Sequence, residues 1–270
     1  MGASRQQKLD SLKEKIAALE THPVLARADE RPAGGGPLVT PRGCVHEIFA
    51  DSLVNAGAAF GFALAQAKAS LSVERPGLLI LQQKPDMQEV GLPYGLGFRA
   101  FGLEAAAFVL IRTDTIVELL WAAEEAIACR AVGAIIGDIA YPHKALDFTA
   151  SRRLALRSAA AGASLFLVRY ARDREATAAR YRWRVEPQAS QPPPFDERAP
   201  GAPRWRLTLE KGSLGAGRAA LPEGEQYLVE LTENGLVLAD IGRDIARPPI
   251  VPAISHAAPA PLGNRLPKAG

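Results

Sequence analysis

Apolar residues change their spacing twice along this 270-residue chain. Between Ser4 and Glu20, Leu9, Leu12, Ile16 and Leu19 recur at steps of three, four and three, which predicts an amphipathic helix. Ala33-Gly34-Gly35-Gly36-Pro37 follows as a flexible break. A helix hinged in this way either folds back on its own domain or docks on a neighbouring subunit or partner. From Gly43 onward the apolar residues come in runs. Strands are predicted at Val45–Ala50, Gly77–Gln82, Phe108–Ile111, Ala134–Ile139 and Ala163–Val168. Helices are predicted at Ala56–Leu71, at Thr115–Cys129 with Asp114 or Thr113 as cap, and at Phe148–Ala161 with Asp147 as cap. Strands alternating with helices at this spacing define an α/β fold with a mostly parallel sheet flanked by helices.

The last third breaks the alternation. Arg180–Val185 and Arg204–Leu209 place arginines on one strand face and Tyr, Trp, Val or Leu on the other, and Gln226–Thr232 is a third such run. Antiparallel strands at one edge of the sheet are expected there. Twelve of the 21 prolines fall in 187–203 and 247–270, so these segments read as a loop and as a tail without a packed core. Three units are therefore expected: residues 1–36 as helix and hinge, 37–246 as the folded domain, and 247–270 as a basic, proline-rich tail.

Composition narrows the functional classes. A net charge of +3 is too mild to mark a nucleic-acid binder by itself. Two cysteines, Cys44 and Cys129, exclude a disulfide framework or a four-cysteine zinc site and fit a reducing compartment. Polar residues directly after Met1 leave no apolar leader segment, and Ala56–Ala65 is far too short to cross a bilayer. A cytoplasmic protein with no membrane contact is expected.

Chemistry is sparse. A phosphate loop needs glycines, a lysine and a Ser or Thr, and its place is after the first strand. That segment reads Ala50-Asp51-Ser52-Leu53-Val54-Asn55-Ala56-Gly57, with no lysine between Gly43 and Gln66. G-x-G-x-x-A occurs at Gly95–Ala100 and again at Gly215–Ala220, in neither case between a strand and a helix, so no dinucleotide site is read from it. The four histidines are far apart, and Cys44 and His46 read as a structural pair on a strand rather than as metal ligands. Glu124 and Glu125 read as a solvated helix face. No catalytic residue, cofactor or metal is expected. The strongest positive signal is basic. Nine arginines lie between Arg152 and Arg184 against two acidic residues, among them Arg152, Arg153, Arg169, Arg172, Arg180, Arg182 and Arg184. Arg204 and Arg206 add to the strand face. Arginine suits bidentate contact with phosphate or carboxylate. DNA, an acidic protein partner and a plain solvated edge all remain readings of this face.

The order of strand, phosphate-loop position, helix, strand and a later strand ending at Asp138 resembles the RecA core. More closely, the chain resembles the ImuA family of RecA-like SOS mutagenesis proteins. The segments that carry this are His46–Ala50, Phe60–Ala65, Leu119–Ala126, Leu146–Leu154, Arg182–Val185 and Pro203–Leu207. The resemblance implies damage-induced mutagenesis and translesion synthesis, beside an ImuB-like polymerase homologue, an error-prone polymerase subunit and RecA. Ala56 and Gly57 stand where the phosphate-loop Lys and Thr would be, and Gln82-Gln83-Lys84 where the catalytic glutamate would be. Only Asp138 keeps a Walker-B look. A non-catalytic adaptor is therefore expected, with Leu9, Leu12, Ile16 and Leu19 as a partner helix. The rivals are a SulA-like inhibitor of cell division and a divergent RecA-like ATPase.

Overall fold

The computed structural model describes Leu38 and residues 40–103, 108–214 and 221–239. The Ser4–Glu20 helix, the Gly215–Ala220 motif and the 247–270 tail lie outside the described residues. Among the described residues the β-branched and leucine-rich runs form nine strands. They are β1 (Val45–Ala50), β2 (Gly77–Gln83), β3 (Phe108–Thr113), β4 (Val132–Ile139), β5 (Ser164–Tyr170), β6 (Tyr181–Gln188), β7 (Arg204–Lys211), β8 (Gln226–Thr232) and β9 (Gly235–Leu238). All join one sheet in the order β3-β2-β4-β5-β1-β6-β7-β8-β9. Pairing is parallel from β3 through β6 and antiparallel from β6 to β9.

Among the described residues four α-helices accompany the sheet: α1 (Ala56–Ser70), a single turn α2 (Met87–Val90), α3 (Ile116–Ala128) and α4 (Phe148–Ala161). Because side chains alternate along a strand, each strand feeds two cores. Ile48, Ile80, Ile136 and Phe166 face α1, where Phe62 meets Trp183 and Trp205 edge-on at 5.5 and 6.2 Å. Val45, Ile135, Leu165 and Leu167 face α3 and α4. The α1 layer runs under the antiparallel strands too, and the Trp205 indole N–H donates to the Ala58 carbonyl at 2.9 Å.

Local expectations differ from the structure at several points. The α3 cap is Thr115, one residue beyond the expected Asp114: its hydroxyl accepts from the Glu118 N–H and the Glu118 carboxylate accepts in return. Strand β6 pairs parallel with β1, so the antiparallel edge begins one strand later than expected. Pro187 continues β6 opposite Trp205 and is not yet loop. Glu124 is buried rather than solvated, because Arg153 and Arg157 of α4 reach across to its carboxylate.

Candidate functional site: the carboxyl ends of the parallel strands

The connection leaving β1 crosses one face of the sheet through α1, and the one leaving β4 crosses the other through α4. A crevice outside the carboxyl ends of the strands is where ligands bind in sheets wound both ways. The chain leaves β1 through Asp51 and Ser52 into a 3-10 turn, Leu53–Asn55, and then directly into α1. Two residues of this short connection have a structural task. The Ser52 hydroxyl accepts from the Val54 N–H at 3.3 Å and caps the turn. The Asp51 carboxylate accepts from Arg174 at 2.9 Å, and Arg174 also holds Glu210 of β7 at 2.9 Å. Asn55 makes no side-chain cap to α1. Ala56 and Gly57 open the helix and line a cavity of about 250 Å³.

The cavity floor comes from strand alternation. Gln82 pairs in register with Asp138, and Tyr170 is two residues beyond the partner of Asp138 on β5, so all three point to the α1 side. The Asp138 carboxylate accepts from the Tyr170 hydroxyl at 2.7 Å through one oxygen and from the Gln82 amide at 2.8 Å through the other. Burial pushes the Asp138 carboxyl above its ordinary range, and those two hydrogen bonds oppose the rise. Burial also pushes the Tyr170 phenol up, with the Asp138 charge adding to it, so the phenol stays a donor. A short segment folds over the opening: Asp86, Gly91–Tyr94 and the 3-10 segment Gly95–Phe101. Asp86 fixes its start by accepting from the Ala140 N–H and the Gln83 amide, both at 2.9 Å. Nothing in the pattern of apolar positions announced this roof, because its order comes from contacts with distant strands.

On the opposite face, Glu47 of β1 is buried and accepts from Arg182 at 2.8 Å and Arg169 at 3.3 Å. Arg169, Arg174 and Arg182 surround the buried Phe49 ring, with guanidinium carbons 5.2, 4.1 and 5.6 Å from its centroid. Glu175 closes the network on Arg169 at 3.0 Å. This corrects the expectation of one arginine face. Arg182 on β6 pairs in register with Glu47 and Arg169 on β5 with Phe49, two residues further along the same face, so both turn inward to the buried carboxylate, which must be paired. Arg153 goes to Glu124, Arg204 to Glu230 and Arg206 to Glu186. Arg184 approaches Glu186 and Thr208, and Arg180 lies beside the Tyr181 ring. Arg152 and Arg172 are exposed on separate elements. The arginines thus split into a buried brace around Phe49, a buried Arg204 paired with Glu230, and scattered surface positions.

His46 is fully buried between the Phe166 and Tyr181 rings, with centroids at 4.6 and 5.0 Å. Burial, aided by the Arg180 charge, lowers its pKa to about 3. It is a neutral core group, hydrogen-bonded to Thr40 at 3.3 Å. Among the described residues no cluster of His, Cys, Asp or Glu has metal-binding geometry, and no helix is long and apolar enough to cross a membrane.

Fold and site together define an α/β protein wound both ways, with a cavity at the carboxyl ends of its parallel strands. No family model matches the chain. It is 31% identical over 192 residues to Protein ImuA of Caulobacter vibrioides strain NA1000, covering 67% of this chain and 72% of that protein. Protein ImuA of a second strain of that species, CB 15, matches to the same extent. The chain belongs to the ImuA family.

Proposed function

We propose that this chain is a non-catalytic RecA-like adaptor in SOS-induced, error-prone translesion synthesis. It works in the cytoplasm by binding RecA and an ImuB-like polymerase homologue, and through these an error-prone polymerase subunit. The observation that carries the non-catalytic part is Asp138: it is buried, and each of its oxygens already accepts a hydrogen bond from within the chain, from Tyr170 and from Gln82. Asp51, tied to Arg174, supports it, as does the missing lysine. Partner contact falls to three regions in this reading: the Leu9, Leu12, Ile16, Leu19 stripe within residues 1–36, the 247–270 tail, and the outward arginines Arg152, Arg172 and Arg206. The folded domain between the two ends carries them.

The test is affinity capture of the full chain from DNA-damaged cells, probed for RecA and for polymerase components. RecA and the ImuB-like protein should both be retained. Deleting residues 1–36 should lower RecA capture at least tenfold, and truncation after Ala246 should do the same for the polymerase homologue, with the melting temperature of each variant nearly unchanged. Capture of neither protein by the full chain would reject the adaptor role. Filaments of undivided cells on overexpression would favour an inhibitor of cell division.

A further inference from the structure

The two helices on one face of the parallel strands carry opposite charge. Helix α3 holds Glu118, Glu124 and Glu125 and no basic residue, whereas α4 holds Arg152, Arg153 and Arg157 and no acidic one. They lie side by side, because the buried Glu124 carboxylate accepts from Arg153 at 2.5 Å and pairs with Arg157 at 3.4 Å. Glu124 offsets one arginine charge, so α4 keeps a surplus of two positive charges and α3, through Glu118 and Glu125, two negative ones. Glu125 and Arg152 are both exposed and join no ion pair among the described residues. Between the two charged stripes the surface is apolar. Val117, Trp121 and Glu124 recur at i, i+4 and i+7 and so line the edge of α3 that borders α4. Val117 is 64% and Trp121 65% exposed, while Trp183 and Trp205 are buried. Single apolar residues on a surface are ordinary, but tryptophan and arginine side by side are what binding surfaces concentrate. A partner of one sign would be drawn to one helix and repelled by the other. A second copy suits both, because a two-fold axis normal to the face lays α3 on α4 and α4 on α3.

We propose that this face pairs two copies of the chain, with the two Trp121 rings covering each other near the axis and Glu125 of one copy meeting Arg152 of the other. The rotation reverses helix direction, which brings the C-terminal half of α3 onto the N-terminal half of α4, where those two residues stand. At about 1.5 Å per residue both helices are about 20 Å long, so the shared face is small and the dimer forms at roughly tens of micromolar. Each copy brings its own partner-contacting regions, so the dimer holds a partner with two sites more tightly than the monomer does. Arg152 belongs to this contact, whereas Arg172 and Arg206 lie on other elements and stay with the adaptor reading. The pairing does not depend on that reading, and its test uses the purified chain alone.

Sedimentation velocity of the full chain between about 2 and 200 µM should show a monomer passing to a dimer. Acrylamide quenching follows the same transition, since Trp121 is the exposed tryptophan, and quenching should fall as the dimer forms. Trp121→Ala, a change that an exposed helix position accepts, should weaken the dimer at least tenfold with the melting temperature nearly unchanged. Arg152→Glu and Glu125→Arg should each weaken it at least tenfold as well, because each sets like charges against one another at both contacts. Mixing these two variants should restore dimers, now mixed ones, since both contacts then join opposite charges. A monomer throughout the range, a dimer indifferent to Trp121→Ala, or a mixture no better paired than its components would each overturn the proposal. So would a Trp121 already shielded from acrylamide at the lowest concentration, because a segment of the same chain would then cover the face.

Discussion

Glu47→Gln should destabilise the folded chain by about 3–5 kcal/mol, the cost of leaving buried charges unpaired. The Glu47 side chain is only 2% exposed, and it is the shared acceptor of Arg169 and Arg182, which are themselves 5% and 12% exposed. The amide keeps the shape of the carboxylate but not its charge, so two guanidinium groups are left around Phe49 with Glu175 as the nearer compensation for Arg169. With roughly 2–4 °C of melting temperature per kcal/mol for a domain of this size, the fall should be about 10 °C. Thermal unfolding followed by circular dichroism measures it. A fall of less than 2 °C would mean that the arginines find water or other carboxylates readily, and that the brace is peripheral. Replacing Glu47, Arg169 and Arg182 together by apolar residues of similar volume should recover much of the loss, since a well-packed apolar cluster often matches a buried ion pair.

The second large effect is an acid-side loss of stability set by His46. Its pKa is 6.5 when the chain is unfolded and about 3 when folded, so between these values the unfolded chain binds more protons. The contribution is therefore fully present above pH 6.5 and is lost progressively as pH falls toward 3. At pH 5 the loss amounts to about 2 kcal/mol. Asp138 acts in the opposite sense, because a carboxyl raised by burial favours the folded state at low pH and loses that contribution as pH rises. Comparison with His46→Phe separates the two. Phenylalanine preserves the stack between Phe166 and Tyr181 and gives up the Thr40 hydrogen bond, so the variant starts less stable at pH 7.5. Its deficit should shrink by about 2 kcal/mol by pH 5. Denaturant curves at the two pH values check this. Parallel curves for wild type and variant would show that His46 takes up its proton without unfolding.

The alternation of apolar and polar residues was enough to read β1, β2, β4, β5 and the three long helices, because each is buried on a face that its own sequence declares. It was also enough to read the Arg–Trp–Arg strands, whose tryptophans pack on Phe62 of α1. What it could not show depends on partners far away in the chain. Glu47 meets Arg169 and Arg182 across separations of 122 and 135 residues, and no local spacing links them. Counting arginines therefore overstated the exposed positive charge. Strand β9 is four residues long and follows a tight turn, below the length at which alternation is visible. The roof over Gln82 and Asp138 is built from glycines, prolines and short 3-10 turns, whose conformation is set by Asp86 and by the strands beneath. The absent lysine, by contrast, was plain in the sequence.

Titration of the purified full chain with ATP and magnesium tests the central claim most directly. A site that holds nucleotide at a hundredfold over its dissociation constant stabilises the fold by about 2.7 kcal/mol, equivalent to a rise of roughly 5–10 °C in melting temperature. With no lysine in the phosphate-loop segment, Asp138 hydrogen-bonded to Tyr170 and Gln82, and Asp51 to Arg174, the account predicts no saturable heat and no such rise at millimolar ATP. A rise of several degrees together with ATP turnover that Asp138→Ala abolishes would contradict it.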